Sequence, residues 1–509
     1  MKDTFYITSA IYYVNDVPHV GHTYEILACD VIARYRRLRG DRVFFLTGSD
    51  EHSQNVVRAA AEAGISPQEW TDRMVPRWQE VWARLGVTND DWIRTSEPRH
   101  VERVQRFVQR LYDRGDVYLG TYEGPYCVSC EEFKQESEVA DGRCPIHGIP
   151  VERLSEQNYF FRLSEYRDAL LRVYEENPGF VRPDARRNEV VSFVRGGLKD
   201  LSISRPATVW GVPVPWDEKH VVYVWVDALL NYITAVGFGA DPERFDRVWP
   251  ADVHMIGKDI VRFHCVIWPA MLLAAGVDLP RTVFAHGFLS FGGQKMSKSL
   301  GTGIAPSAVL DRFGLDAYRW YFLRDVQFGQ DGDFTWEALR ARYNAELANG
   351  VGNLASRVLA MVGSYFDGAV PRPSDRGPSG RLGRLGADLA ERFDAHMVAL
   401  ELSEAFAALD QFVREANRHL VEVAPWALAG DPARRQDLAD VLYEALEGLR
   451  VWAILSSAAM PDAAARLWDQ LGVSEPLAAQ RVPKAASWGG LEPGTRVRRG
   501  RALFPRLDR

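Results

Sequence analysis

The sequence predicts an α/β fold in which a parallel sheet is split by a metal-binding insert and followed by a C-terminal bundle of α-helices. Three observations predict it. Strand and helix signals alternate from Thr4 to about Arg114; four metal-type side chains cluster between Cys127 and His147; and from about Trp336 onward the pattern is helical almost throughout.

Thr4–Tyr13 is rich in aromatic and β-branched residues, as strands are. Gly21–Leu38 places Ile26, Cys29, Ile32 and Tyr35 at helical spacing until Gly40 stops it, and Arg42–Leu46 is the next strand. A strand, helix, strand run of this length is the βαβ unit of a Rossmann-like sheet, whose ligands sit at the carboxyl ends of the strands. Between about Gly115 and Pro215, short strands and many turns interrupt that order. Val221–Val226 reads as a buried strand with a helix beginning near Asp227, and Val253–Ile256 with Arg262–Ala275 repeats the theme. Beyond it, Leu347–Val362, Ala390–His419 and Asp437–Ala459 read as long helices, broken by a Pro/Gly/Ser-rich loop over Val370–Gly380. The expected domains are 1–114 and 216–285 for the two halves of the sheet, 115–215 for the insert, 286–345 for a lysine-bearing loop and its flank, and 346–509 for the helical bundle.

With 509 residues, 47% of them hydrophobic, the chain can bury several cores, which excludes a disordered protein. Its longest apolar runs, such as Val266–Ala275, fall short of the roughly 20 residues a membrane span needs. The N-terminus lacks the basic start and cleavage site of a signal peptide, so a cytoplasmic location is expected. Five cysteines without an export signal favour reduced thiols or a metal site over a disulfide framework. A net charge of −7 argues against a protein coated in positive charge, while leaving room for a local basic face.

Three motifs carry chemistry. His19 and His22 flank Gly21 where a strand hands over to a helix, so backbone N–H groups and the positive helix end favour an anion there. Far downstream, Gly292-Gly293-Gln294-Lys295-Met296-Ser297-Lys298-Ser299-Leu300-Gly301 is a loop with glycines at both ends and two lysines three apart, able to face one polyphosphate. Two loop lysines are commonly just solvated; the flanking glycines and interleaved serines favour the phosphate reading. Cys127-Val128-Ser129-Cys130 and Cys144-Pro145-Ile146-His147 are two pairs with two-residue gaps, the pattern that wraps one tetrahedral Zn²⁺. Four protein ligands leave no open position, which makes such an ion structural.

The histidine and lysine motifs resemble the HIGH and KMSKS signatures of class I aminoacyl-tRNA synthetases, in that order. Within that class the chain is similar to the methionyl-tRNA synthetases at Ala10-Ile11-Tyr12-Tyr13-Val14-Asn15, Ser49-Asp50-Glu51-His52, Trp225–Tyr232 and Gly257–His264. The resemblance implies a methionine–tRNA ligase that activates L-methionine with ATP and transfers it to tRNA(Met), initiator and elongator, with Mg²⁺ helping at the phosphates. It implies catalytic roles for His19, His22, Lys295 and Lys298, and ATP contacts from these together with Gly21, Gly257, Asp259 and Ser297. It implies a methionine pocket of Ile11, Tyr13, Trp225, Leu229, Tyr232, His264 and Trp268, with Asp50 pairing the ammonium. In the helical domain it implies anticodon contacts from Asn353, Arg357 and Trp426. The fourth zinc ligand, His147, stands where relatives also use Cys. Ala10, Ser53 and Val226 depart from the common pattern beside the pocket. A monomer is expected, since the chain stops after Leu503-Phe504-Pro505 without the appended oligonucleotide-binding domain of some relatives. The basic run Arg496–Arg501 reads as a solvated tail. A small-molecule adenylyltransferase would share the two signatures but lack the insert and helical domain. An RNA-binding protein with a degenerate nucleotide fold would lack the catalytic groups. Synthetases for isoleucine, valine and leucine carry a large editing insert for which there is no room, and the cysteine enzyme is the remaining alternative.

Overall fold

The structure, a computed structural model, describes every residue except Met1, Cys130, Glu131, Gln135, Ala140, Thr208, Val209, residues 296–302 and residues 508–509, together with the side chains of Tyr122, Glu132, Phe133, Ser137, Leu154, Glu156 and Lys295. Of the site candidates, Cys130, Ser297, Lys298 and the Lys295 side chain lie outside the described residues. The chain forms two compact units: Met1–Pro18 with Val43–Ala83 and Asn89–His286, and His19–Arg42 with Arg84–Thr88 and Gly287–Arg509.

In the first unit the strands in chain order are β1 (Thr4–Tyr13), β2 (Arg42–Asp50), β3 (Asp91–Arg94), β4 (Val117–Cys127), β5 (Glu132–Phe133), β6 (Glu152–Phe161), β7 (Val181–Arg182), β8 (Leu201–Ser202), β9 (Ser204–Pro206), β10 (His220–Val222), β11 (Val253–Gly257) and β12 (Val283–His286). Six of them make the main sheet in the order β3-β2-β1-β11-β12-β7. The pairs β2/β3, β1/β11, β11/β12 and β12/β7 are parallel, with Ile7 opposite Val253 and Thr8 opposite His254. From β1 the chain adds β2 and then β3 on one side; on the other, β11 lies beside β1 with β12 next to it and the earlier β7 at the edge. The β1/β11 seam is thus the switch point where such sheets bind ligands. The insert contributes a separate antiparallel sheet, β5-β4-β6-β8.

The second unit holds the helix Val20–Leu38, a small sheet of β13 (Leu289–Phe291), β14 (Gln294–Lys295) and β15 (Gly332–Phe334), and the C-terminal helices Arg381–Val398, Leu402–Val423, Arg435–Ser456 and Pro461–Leu471. Among the described residues no helix is long and apolar enough to cross a membrane.

Four expectations are corrected. Strand Val221–Val226 ends at Val222: Tyr223 is the extended cap of a helix over Val224–Thr234. That helix is buried on nearly every side, so its apolar run shows no helical period and imitates a buried strand. Arg262–Ala275 is not one regular helix, because Phe263–Ile267 forms a π-turn before Trp268–Ala275 resumes. Ala390–His419 is two helices. They meet at a turn where Leu400 takes φ 60°, a left-handed conformation held by burial of its side chain and flagged by no Gly or Pro. The basic C-terminal run is not a free tail: Val497 N–H donates to Gly368 O at 2.9 Å and Arg498 N–H to Gln470 O at 2.7 Å.

The helix Val20–Leu38 is fixed in the second unit by a buried ion pair. Arg319, fully buried, donates to Asp30 Oδ2 at 2.5 Å, to Leu85 O at 3.0 Å, and to Ala458 and Ala459 O at 3.0 and 2.7 Å. Burial pushes the Asp30 carboxyl up, but Arg319 and Arg34 beside it hold it below the ordinary range. Arg319→Met removes the fully buried cation from that carboxylate, leaving it Arg34 and Thr88, and should cost about 3–5 kcal/mol in urea unfolding. Arg319→Met with Asp30→Leu should cost clearly less than the sum of the two single changes.

Candidate active site

His19 caps the helix Val20–Leu38. Its Nδ1 accepts from Gly21 N–H at 3.1 Å, while His22 Nδ1 accepts from His19 N–H at 3.1 Å, a reciprocal box built from imidazoles. The rings lie 3.9 Å apart. Val20 N–H donates to Ile304 O at 2.9 Å and His22 N–H to His19 O at 3.0 Å. The backbone donors expected to greet an anion are thus engaged within the protein. The histidines supply the replacement: with Nδ1 accepting, the proton of each neutral ring sits on Nε2. Ile304 lies just beyond the lysine loop, so the hydrogen bond to Val20 brings the exit of that loop to the first turn of the histidine helix.

The first unit assembles the other predicted residues at the carboxyl edge of its sheet. Ile11 and Tyr13 close β1, Asp50 closes β2, and Gly257 closes β11 with Asp259 exposed on the turn that follows. Asp50 is buried. The neighbouring Glu51 anchors its loop, accepting from Arg94 Nε at 2.7 Å, Arg94 Nη2 at 3.0 Å and Ser49 Oγ at 2.7 Å. Ser53 caps the next helix by accepting from Val56 N–H at 3.2 Å, which accounts for a serine at that departure from the common pattern.

Trp225 is half-buried, stacks on Phe263 at 4.0 Å, and meets the Tyr13 ring edge-on at 6.3 Å. Leu229, Tyr232 and His264 are buried beside them, and Trp268 stands behind Tyr232 with its centroid 6.2 Å away. Hydrogen-bond logic sets each tautomer. His264 Nδ1 faces Ile260 O at 3.1 Å, an acceptor only, so Nδ1 carries the proton and Nε2 accepts from the Tyr232 hydroxyl at 2.7 Å. Trp268 Nε1 donates to His254 Nε2 at 3.4 Å, leaving His254 Nδ1–H for Thr8 Oγ1 at 2.8 Å. Burial keeps both imidazoles neutral, pulling His254 well down and His264 to about 4. Below the pocket helix, Asp227 accepts from His52 Nδ1 at 2.8 Å and His100 Nε2 at 2.9 Å. Burial opposes its charge, yet His100 and His52 hold its carboxyl down to about 2. Phe263, His254, Thr8, Glu51, Arg94 and His100 are the residues that sequence reasoning missed. Only Phe263 and Glu51 lie inside a quoted motif.

In the insert, Cys127 and Cys144 are buried, and each sulfur lies 3.9 Å from His147 Nδ1. Their ligand atoms converge within 4.8 Å of one another, so this group could hold a metal ion. In the second unit Asn353 and Arg357 share a helix face, and the Arg357 guanidinium lies 5.6 Å over the ring of Trp426, which is 48% exposed.

The family model for class I tRNA synthetases (M) matches residues 5–153 and 137–359, and that for the anticodon binding domain of methionyl tRNA ligase matches residues 370–508. The chain belongs to the class I methionyl-tRNA synthetase family. A methionine–tRNA ligase of Streptomyces coelicolor is 52% identical over 99% of this chain and 97% of its own length. One from Thermotoga maritima is 45% identical over 99% of this chain and 80% of its own. Among solved structures, the Mycobacterium tuberculosis methionyl-tRNA synthetase in complex with methionyl-adenylate superposes with a TM-score of 0.93 at 43% identity, covering 99% of this chain and all of that one. Membership of the synthetase family makes the aromatic pocket the place to test.

The stability carried by the neutral His264 ring is complete above its ordinary value of 6.5 and is lost progressively as the pH falls toward 4, because the unfolded chain takes up that proton first. His264→Gln, which keeps an acceptor for Tyr232, should flatten unfolding free energy against pH over that window. An unchanged slope would assign the titration to another group.

Proposed function

We propose that the chain is a methionine–tRNA ligase, forming methionyl-adenylate and pyrophosphate from L-methionine and ATP and passing methionyl to tRNA(Met), initiator and elongator alike. The observation that carries this reading is the hydrogen bond between Val20 and Ile304, which joins the histidine helix to the exit of the lysine loop.

In the first step a carboxylate oxygen of methionine attacks the α-phosphorus, the bond to the bridging α–β oxygen breaks, and its electron pair leaves with pyrophosphate. No protein nucleophile is needed; orientation and charge stabilisation supply the catalysis. His19 and His22 present Nε2–H donors to the phosphates, and Lys295 and Lys298 with Ser297 neutralise the departing pyrophosphate. Mg²⁺ carried by ATP would add charge at those same oxygens. Gly257 lets adenosine approach, and Asp259 accepts from ribose hydroxyls. Asp50 pairs with the methionine ammonium, while Ile11, Tyr13, Trp225, Leu229, Tyr232, His264 and Trp268 form an uncharged pocket suited to a polarizable thioether. In the second step a hydroxyl of the terminal tRNA ribose attacks the acyl carbon, loses its proton, and AMP leaves. Asn353, Arg357 and Trp426 read the anticodon.

Cys127, Cys144 and His147 fit Zn²⁺, with Cys130 as the fourth ligand in sequence. When bound, such an ion holds the insert in shape and has no open position for chemistry. Its thiolates require a reducing compartment, which supports the cytoplasm.

Pyrophosphate exchange into ATP, measured with each of the twenty amino acids, should respond to methionine alone; a response to another amino acid and none to methionine would sink the pocket assignment. Purified protein should carry about one zinc per chain, as a closed four-ligand site does. His147→Ala should lower that content and open residues 115–215 to proteolysis. Metal content unaffected by that change would remove His147 from the ligand set.

A further inference from the structure

The amide of Asn353 is oriented from behind. Asn417, on the Leu402–Val423 helix, is half-buried, and one terminal atom of its amide lies 3.1 Å from Val413 O and 3.3 Å from Gly350 O. Both are carbonyl oxygens, which only accept, so that atom is Nδ2 and donates to them. The other terminal atom is therefore Oδ1, and it faces the Asn353 amide at 3.2 Å. The atom that Asn353 turns toward it must donate, which makes it Nδ2. Gly350 O also accepts the Asn353 backbone N–H, so one carbonyl ties the two asparagines together. A carboxamide free to turn about its last bond shows a ligand either an oxygen or an amino group. Here the oxygen of Asn353 is the amide end that Asn417 does not hold, and Asn353 itself is exposed on the helix face that carries Arg357.

We infer that Asn417 is a positioning residue for base selection, holding the Asn353 oxygen outward as the acceptor for the exocyclic amine of an anticodon base. Arg357 offers only donors. An acceptor beside donors complements an amine beside a ring acceptor, as on cytosine and adenine, and rejects uracil, which has no amine. Trp426, 48% exposed with Arg357 over its ring and suited to take a base by stacking, and Asn417 both fall within the stretch matched by the anticodon binding domain model. The inference rests on the anticodon reading of this site.

The test is aminoacylation kcat/KM on methionine tRNA transcripts with anticodon CAU and with its first or second base replaced by uracil. Trp426→Ala should lower kcat/KM on the CAU transcript about tenfold or more, the size of a lost base stack. If it does not, the anticodon reading fails and the inference falls with it. Given that drop, Asn417→Ala should narrow the preference for CAU over one uracil transcript by about tenfold. Asn353→Ala should narrow it similarly, and adding Asn417→Ala to Asn353→Ala should narrow it no further. A preference untouched by Asn417→Ala, or two effects that multiply, would overturn the inference and leave the anticodon site standing. The readout is a ratio on one preparation, so partial unfolding cancels. If Asn417→Ala does not fold, Asn417→Ser, which keeps one donor but lacks the amide oxygen, reads the same ratio.

Discussion

Arg319 is fully buried and still charged, and the placement of the histidine-bearing helix within its unit follows from that. A guanidinium out of water needs nearly all its donors satisfied. Here the partners come from three directions: Asp30 on the Val20–Leu38 helix, Leu85 on the short segment at Arg84–Thr88, and the carbonyls of Ala458 and Ala459 where the Arg435–Ser456 helix has ended. None can move far without leaving a donor unmet. The helix is also held at each end, by Val20 to Ile304 and by Leu38 O, which accepts from Val482 N–H at 3.1 Å. Three attachments along one helix fix both its axis and its rotation. The imidazoles at its first turn therefore start from a preorganised position, as charge stabilisation on a phosphate requires.

The same economy of protons runs through the aromatic pocket. His264, His254, Tyr232, Trp268 and Thr8 form a network in which each tautomer is dictated by a neighbour that can only accept or only donate. The result is neutral. A thioether is a weak acceptor, and a buried charge beside it would lose hydration without gaining a partner. Charge is instead placed on Asp50, buried at the end of β2, and on Asp227, which is matched by His52 and His100.

Much of this was legible in the sequence, and the reasons differ by residue. The candidate site residues are read directly, because their side chains occur in short local motifs: His19 to His22, Lys295 to Ser299, and the metal-type pairs at Cys127 and Cys144. Strand β1 was legible because its aromatic and β-branched residues favour strands. The helix Val224–Thr234 was not, since complete burial removes the period that distinguishes helix from strand. The turn at Leu400 was hidden because burial, and not a glycine, holds its left-handed conformation.

The illegible part of the site has a common physical character. Thr8 meets His254 across the β1/β11 seam, Arg94 reaches Glu51 from a neighbouring strand, and Asn417 meets Asn353 from another helix. Each acts on its partner by fixing a proton or a rotamer, and each lies far from that partner in the chain. No local spacing encodes such a pairing; only the folded contact does. Ser53 shows the converse. It follows a motif directly and departs from the common pattern beside the pocket, yet its hydroxyl is engaged in capping the following helix. The departure therefore bears on how firmly the Asp50 loop hands over to that helix.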